Sequence, residues 1–266
     1  MRRWPLVAAV TITALVVLLT KGQGTTMPVN TDAAAAVGAQ ELSAAARTKV
    51  FFGHQSVGRN VLDGLDGLYA VNGLTAPPSW SDAYIGENGD PLGKIDDFEA
   101  RIREGAGAEM DVALMKFCYV DVTDGTDVDA LFERYRTTMA GLDRDFPEVR
   151  FLHVTAPLTT EAGLVSRLKA GVKTLLGRDV VESRADNVAR ERFNALMREE
   201  YGPERLFDLA EVESTAPDGT RVSGEVDGRD YFALYSGYAA DSGHLDQEAS
   251  MLAAAHLVAL VADASR

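Results

Sequence analysis

Ser56 stands in Gly53-His-Gln-Ser-Val-Gly58, where the apolar run Val50-Phe-Phe breaks and a helical pattern begins. Far downstream, Asp241-Ser-Gly-His244 closes the last loop before a C-terminal helical stretch. A serine hydroxyl becomes a nucleophile when a base takes its proton and an acid holds that base in one tautomer. An Asp three residues ahead of a His supplies both partners, so this set would attack a substrate through Ser56. The plain alternative is that Ser56 caps the helix that starts there, a role Ser favours and one compatible with nucleophilicity.

Other residues stand near this set by sequence or by type. His54 falls two residues before Ser56 on the same strand face, where it either contacts substrate, positions Gln55 and Ser56, or makes a structural hydrogen bond. In Ile85-Gly-Glu-Asn-Gly89, Gly86 offers a backbone N–H and Asn88 a side-chain amide for a developing oxyanion; a plain turn is the alternative. Lys116 interrupts an apolar strand, so it needs a substrate pocket, an edge position or an ion pair, because an unpaired buried ammonium is costly. His153 and His256 read as packed histidines. Asp186, Asn187, Arg190, Arg192 and Asn194 read as a solvated helix face. No two His are spaced for a metal and no Cys pair exists. No metal or cofactor is therefore called for. The acidic stretch Asp121–Asp129 lacks the alternation of a calcium loop and reads as a loop leading into a helix.

These residues require strands that end where helices begin. Val57, Val61, Leu62, Leu65, Leu68 and Tyr69 recur at helical spacing after the first strand, ending near Asn72-Gly73. Turn formers crowd 75–93, which reads as a long loop. A helix over Ile95–Ile102, a buried strand over Met110–Val120, a helix from Asp127 and a strand from Val149 to Pro157 follow. A helix over Ala185–Tyr201, a short strand at Leu206–Ala210, loops over 214–240 and a last helix from about Asp246 to Asp263 complete the chain. Strands alternating with helices predict a three-layer α/β/α sandwich around a central parallel sheet.

The chain has 266 residues, 46% of them hydrophobic and 25% charged, which suits one packed domain. A net charge of −14 argues against nucleic acid as a partner. Residues 1–21 carry Arg2-Arg3 and then an apolar run, the pattern of an export signal or an uncleaved membrane anchor. Residues 22–40 read as a linker and 41–266 as the folded body, placed outside the cytoplasm. Cys118 is the one cysteine, so no intrachain disulfide forms, and it reads as a small buried side chain.

A serine on the first strand-to-helix turn, a closing Asp-x-x-His and a flavodoxin-like order together resemble the SGNH/GDSL hydrolase superfamily. The resemblance covers about Lys49–Ala264. It implies Ser56 as nucleophile, His244 as general base, Asp241 as its orienting acid, and hydrolysis of acyl or acetyl esters on small molecules, carbohydrates or lipids without a cofactor. Two blocks depart from the family pattern. Gly-Asp-Ser is Gly53-His-Gln-Ser56, and Gly-x-Asn-Asp becomes Cys118-Tyr-Val-Asp121, which keeps the Asp and lacks the oxyanion-binding Asn. An O-acyltransferase would use the same residues, and a non-catalytic carbohydrate-binding or scaffolding protein would tolerate the altered blocks. The resemblance does not fix the oligomeric state.

Overall fold

The computed structural model describes residues 37–77, 79–161 and 184–265. The proposed export segment and most of the linker lie outside the described residues. Among the described residues no helix is long and apolar enough to cross a membrane.

The body begins with helix α1 (Ala39–Arg47), which overlaps the end of the expected linker and buries Leu42 and Ala45. Strand β1 (Val50–His54) is buried throughout and leads through Gln55 into helix α2 (Ser56–Val71). Strand β2 (Trp80–Tyr84), helix α3 (Pro91–Arg101), strand β3 (Val112–Met115), helix α4 (Val128–Asp145) and strand β4 (Arg150–Val154) follow. Helix α5 (Arg184–Glu200), strand β5 (Leu206–Phe207), the short helix α6 (Leu209–Ser214), a hairpin of β6 (Ser223–Val226) and β7 (Arg229–Phe232), and helix α7 (Gln247–Ala264) complete the chain. All neighbours in the main sheet are parallel, in the order β2-β1-β3-β4-β5. This is a three-layer α/β/α sandwich, as the alternation of elements predicts.

Strand periodicity divides the core into two layers. Val50, Phe52, Val112, Leu114, Leu152 and Val154 face the layer packed with α1, α2 and α7. Phe51, Ala113, Met115 and Phe151 face the layer packed with α3, α4 and α5. Crossing strands with β-branched and aromatic residues on both faces is how a parallel sheet buries itself.

Several expectations change, among them the Leu206–Ala210 strand, of which only Leu206–Phe207 pairs before Asp208 caps α6. The 75–93 stretch contains β2, an edge strand paired only with β1, so its Trp80-Ser-Asp-Ala-Tyr84 carries polar residues that hide the strand pattern. The expected Met110–Val120 strand ends at Met115; beyond it the chain leaves the sheet and makes a 3₁₀ turn at Tyr119–Asp121. The 214–240 loops contain the β6–β7 hairpin, turned by Asp227 and Gly228 at φ of 51° and 73°. Two consecutive positive φ values match a two-residue hairpin turn, for which Asp-Gly is a favoured pair.

Candidate functional site

The carboxyl end of the sheet gathers Ser56, the loop after β2, the turn after β3 and the loop before α7. Ser56 opens α2, but Gln55 occupies the N-cap position and Ser56 makes no capping bond. Its hydroxyl instead lies 2.8 Å from His244 Nε2, and His244 Nδ1 lies 2.7 Å from Asp241 Oδ2. An ionised carboxylate only accepts, so Nδ1 carries the proton toward Asp241 and Nε2 is left as the acceptor for the serine hydroxyl. Burial pushes the Asp241 carboxyl up, but N–H donors from Gly243 and His244 and the His244 ring outweigh it and hold the acid below its ordinary value. The Gly243 and His244 amides reach Asp241 Oδ1 at 2.9 and 2.8 Å, so the carboxylate fixes both the backbone and the ring of the loop.

The loop that carries His244 is itself fastened. Thr160 N donates to Ser242 O at 2.8 Å, and Ala240 N donates to His244 O at 2.9 Å. From below, α7 packs on α2 where Gly64 meets Ser250: a Cβ on Gly64 would lie 2.0 Å from the Ser250 carbonyl oxygen. The helix that begins with Ser56 and the helix that follows His244 are thus in backbone contact, which sets the distance between the two residues.

His54 is fully buried, which, of the three readings, favours the structural hydrogen bond and the positioning of Gln55 over contact with substrate. Its Nδ1 meets Gln55 O at 2.8 Å and its Nε2 meets Asp82 Oδ2 at 3.0 Å. Burial lowers its pKa, with Lys116 adding to that, while the two acceptor oxygens oppose it. The ring fills the space that Gly58 leaves, where a Cβ would lie 2.3 Å from His54 Cβ. Gln55 donates its amide to Ile85 O at 2.9 Å and Gly86 O at 2.8 Å. Gln55 is therefore a latch between the Ser56 turn and the loop after β2, rather than a free substrate-binding amide.

Gly86 is also corrected. Its N–H donates to Asp97 Oδ2 at 2.9 Å, so this amide is already committed to helix α3. Asn88 is exposed, and its Oδ1 accepts from Lys94 Nζ at 2.9 Å. Lys116 lines no open pocket: it is 1% exposed and donates to Phe117 O at 2.7 Å. Desolvation lowers its pKa, partly opposed by Cys118 and Glu213.

Several site-supporting residues were hidden from sequence reasoning. On α5, Asp186, Asn187, Arg190 and Asn194 are buried rather than solvated. Arg190 donates to Tyr119 O and Val122 O, Asn187 bonds the Thr159 backbone, and Asn194 bonds both N and O of Ala156. This helix face holds the loops after β3 and β4 in place, satisfying backbone groups that leave the sheet. The signal available was the mixture of amides and one Arg at i, i+3 and i+7, a composition rich in backbone-bonding groups rather than in Lys and Glu. Lys94 was missed as well, because nothing in Pro91-Leu-Gly-Lys94 marks a buried cation. His153 and Cys118 are buried as expected, whereas His256 stays exposed on α7 and lines an open cavity of about 760 Å³ with Phe207, Leu252 and Leu260. No lining residue of that cavity belongs to the Ser56 group. Among the described residues no cluster of side chains suited to a metal ion is present.

No family model matches the chain, and no curated protein does. Among solved structures, a Streptococcus pneumonia protein described provisionally as a platelet activating factor aligns with a TM-score of 0.49 and 13% identity, over 82% of this chain and 89% of that one.

Proposed function

We propose that this protein is a serine ester hydrolase of the SGNH type, in which Ser56 is the nucleophile, His244 the base and Asp241 its orienting acid. The observation that carries the reading is the continuous chain from Ser56 Oγ to His244 Nε2 and from His244 Nδ1 to Asp241, at 2.8 and 2.7 Å. It lies at the carboxyl end of a parallel sheet, where α/β proteins present ligands. In this reading His244 takes the Ser56 proton as Oγ attacks the ester carbonyl, then gives that proton to the departing alkoxide. Water, deprotonated by the same ring, attacks the acyl-serine; its oxygen leaves with the acid, and His244 returns the proton to Ser56. Two donors serve the oxyanion. One is the Ser56 amide, which sits in the first turn of α2 and has no intrahelical acceptor; the other is the amide nitrogen of Asn88.

No cofactor enters this scheme. The basic and then apolar residues 1–21 support an extracytoplasmic location, which makes acyl or acetyl esters on carbohydrates or lipids the substrate class. Treating the purified chain with a serine-directed phosphonate and with p-nitrophenyl acetate tests the reading. Wild type should be labelled and turn over the ester, and Ser56→Ala should lose both, with at least a 10³-fold fall in kcat. Equal turnover by Ser56→Ala, or no labelling of wild type, sinks the hydrolase reading in favour of a binding protein on the same fold.

A further inference from the structure

Lys94 and Asp121 are buried ions, 0% and 3% exposed, joined at 2.5 Å. A buried pair of this kind is weak evidence for stability, since apolar residues of similar volume often serve as well. Its connections point elsewhere. Asp121 Oδ1 accepts from Gly89 N at 2.8 Å and Oδ2 from Cys118 N at 2.5 Å, so one carboxylate ties the loop after β2 to the turn after β3. Lys94 then reaches from Asp121 to Asn88 Oδ1 at 2.9 Å. Gly86, at φ 52°, lies directly on the Lys94 stem: a Cβ there would come within 2.7 Å of Lys94 Cγ. The other end of the loop is gripped by Gln55, the residue before Ser56.

An ammonium has donors only, so it faces the oxygen of Asn88 whichever way the amide is drawn. The oxygen and NH₂ of a planar amide point in fixed, diverging directions, so holding the oxygen on Lys94 also fixes the NH₂ of the exposed Asn88. We propose that Lys94, itself fixed by Asp121, is a positioning residue that aims the Asn88 amide nitrogen at the oxyanion formed on attack by Ser56. The inference rests on the hydrolase reading above and adds to it the device that replaces the Asn missing from Cys118-Tyr-Val-Asp121.

The test is a set of kinetic comparisons on the full chain with p-nitrophenyl acetate, each variant first checked by thermal melting. Asn88 is exposed, so Asn88→Ala should fold normally, with kcat reduced about 10²–10³-fold and KM within about threefold. Lys94→Met alone leaves Asp121 buried without its partner, so the paired variant Lys94→Met/Asp121→Asn is the safer probe. It should lower kcat at least tenfold when Asn88 is present and less than twofold in the Asn88→Ala background. Asn88→Asp keeps an oxygen for Lys94 and removes the donor, so it should lose as much kcat as Asn88→Ala without losing thermal stability. Equal fold losses for the paired variant in both backgrounds, or Asn88 variants within twofold of wild type while Ser56→Ala is inactive, overturn the inference and leave the hydrolase reading standing. Absence of any Ser56-dependent turnover in wild type removes both.

Discussion

Asp241 is an exposed acid for the role proposed, with 56% of its side chain accessible against 29% for His244. A carboxylate in that setting is screened by water, so its worth lies in direction more than in field strength. Its second oxygen has a separate duty, accepting the Gly243 and His244 amides. Asp241→Asn keeps that second duty through its carbonyl oxygen but no longer favours the Nδ1–H tautomer of His244. We expect kcat on p-nitrophenyl acetate to fall about 10²–10⁴-fold with KM nearly unchanged. Thermal stability should move little. A loss in KM instead of kcat would show that Asp241 shapes the substrate site rather than the base. The same reasoning separates the residues of the Ser56 turn: His54 and Gln55 spend their polar atoms on Asp82, Ile85 and Gly86, whereas the Ser56 hydroxyl faces His244.

At the scale of elements, α2 and α7 act as one unit because small residues let them touch. Gly64→Ala places a methyl 2.0 Å from a carbonyl oxygen of α7, and backbone cannot yield as a side chain does. Gly67→Ala meets only the flexible Met251 at 3.2 Å. Both substitutions gain about 1 kcal/mol of helix propensity, so the difference between them isolates the clash. Gly64→Ala should cost about 1–3 kcal/mol net and lower the melting temperature by several degrees. It should also reduce kcat more than the melting shift explains, because a displacement near 1 Å between Ser56 and His244 is worth about 10²-fold. Gly67→Ala should leave kcat nearly unchanged and the melting temperature level or raised by a few degrees. Indistinguishable variants would mean that the loop bonds, Thr160 N to Ser242 O and Leu245 N to Asn60 Oδ1, rather than the helix contact, set the site.

The elements that carry Ser56 and His244 were legible in the sequence because their signals are local: a β-branched and aromatic run, a helical stripe, and Asp-x-x-His before an apolar helix. The elements that support them were not. β2 is an edge strand with half its side chains in water, so alternation never appears. The α5 face looked solvated because amides and an arginine that bond buried backbone have the same composition as a wet surface. Lys116 and Lys94 show the limit on single residues: an apolar strand marks Lys116 as unusual but not the carbonyl that receives it, and nothing around Lys94 marks it at all.

Across the whole molecule, two buried ionisable groups make stability depend on pH in opposite directions. His153 is fully buried, its Nδ1 shares a hydrogen bond with Tyr135 OH at 2.9 Å, and its ring stacks on Tyr201 at 3.4 Å. Burial first, and Arg205 second, hold its pKa well below the ordinary 6.5, so the folded state keeps it neutral. Its contribution is complete above pH 6.5 and is lost as pH falls, when the unfolded chain takes up the proton first. Glu213 behaves in reverse. Burial pushes its carboxyl up to about 8, opposed by the Leu158 amide, Lys116 and Arg190. Its contribution is present below the ordinary 4.5 and is lost as pH rises toward about 8. Between pH 4.5 and 6.5 the two slopes oppose each other, and from pH 6.5 to about 8 the Glu213 slope remains, so melting temperatures should fall over that upper range. His153→Phe keeps the ring stack and, relative to wild type, should gain stability as pH falls from 6.5 to 5, with part of the acid-side loss remaining because burial also lowers His54. Glu213→Gln retains an oxygen for Leu158 N and should flatten the alkaline side, so that relative to wild type it gains stability from pH 5 to pH 8. Parallel curves for wild type and Glu213→Gln would show that the Glu213 carboxyl is already ionised across this range, its charge offset by Lys116 and Arg190.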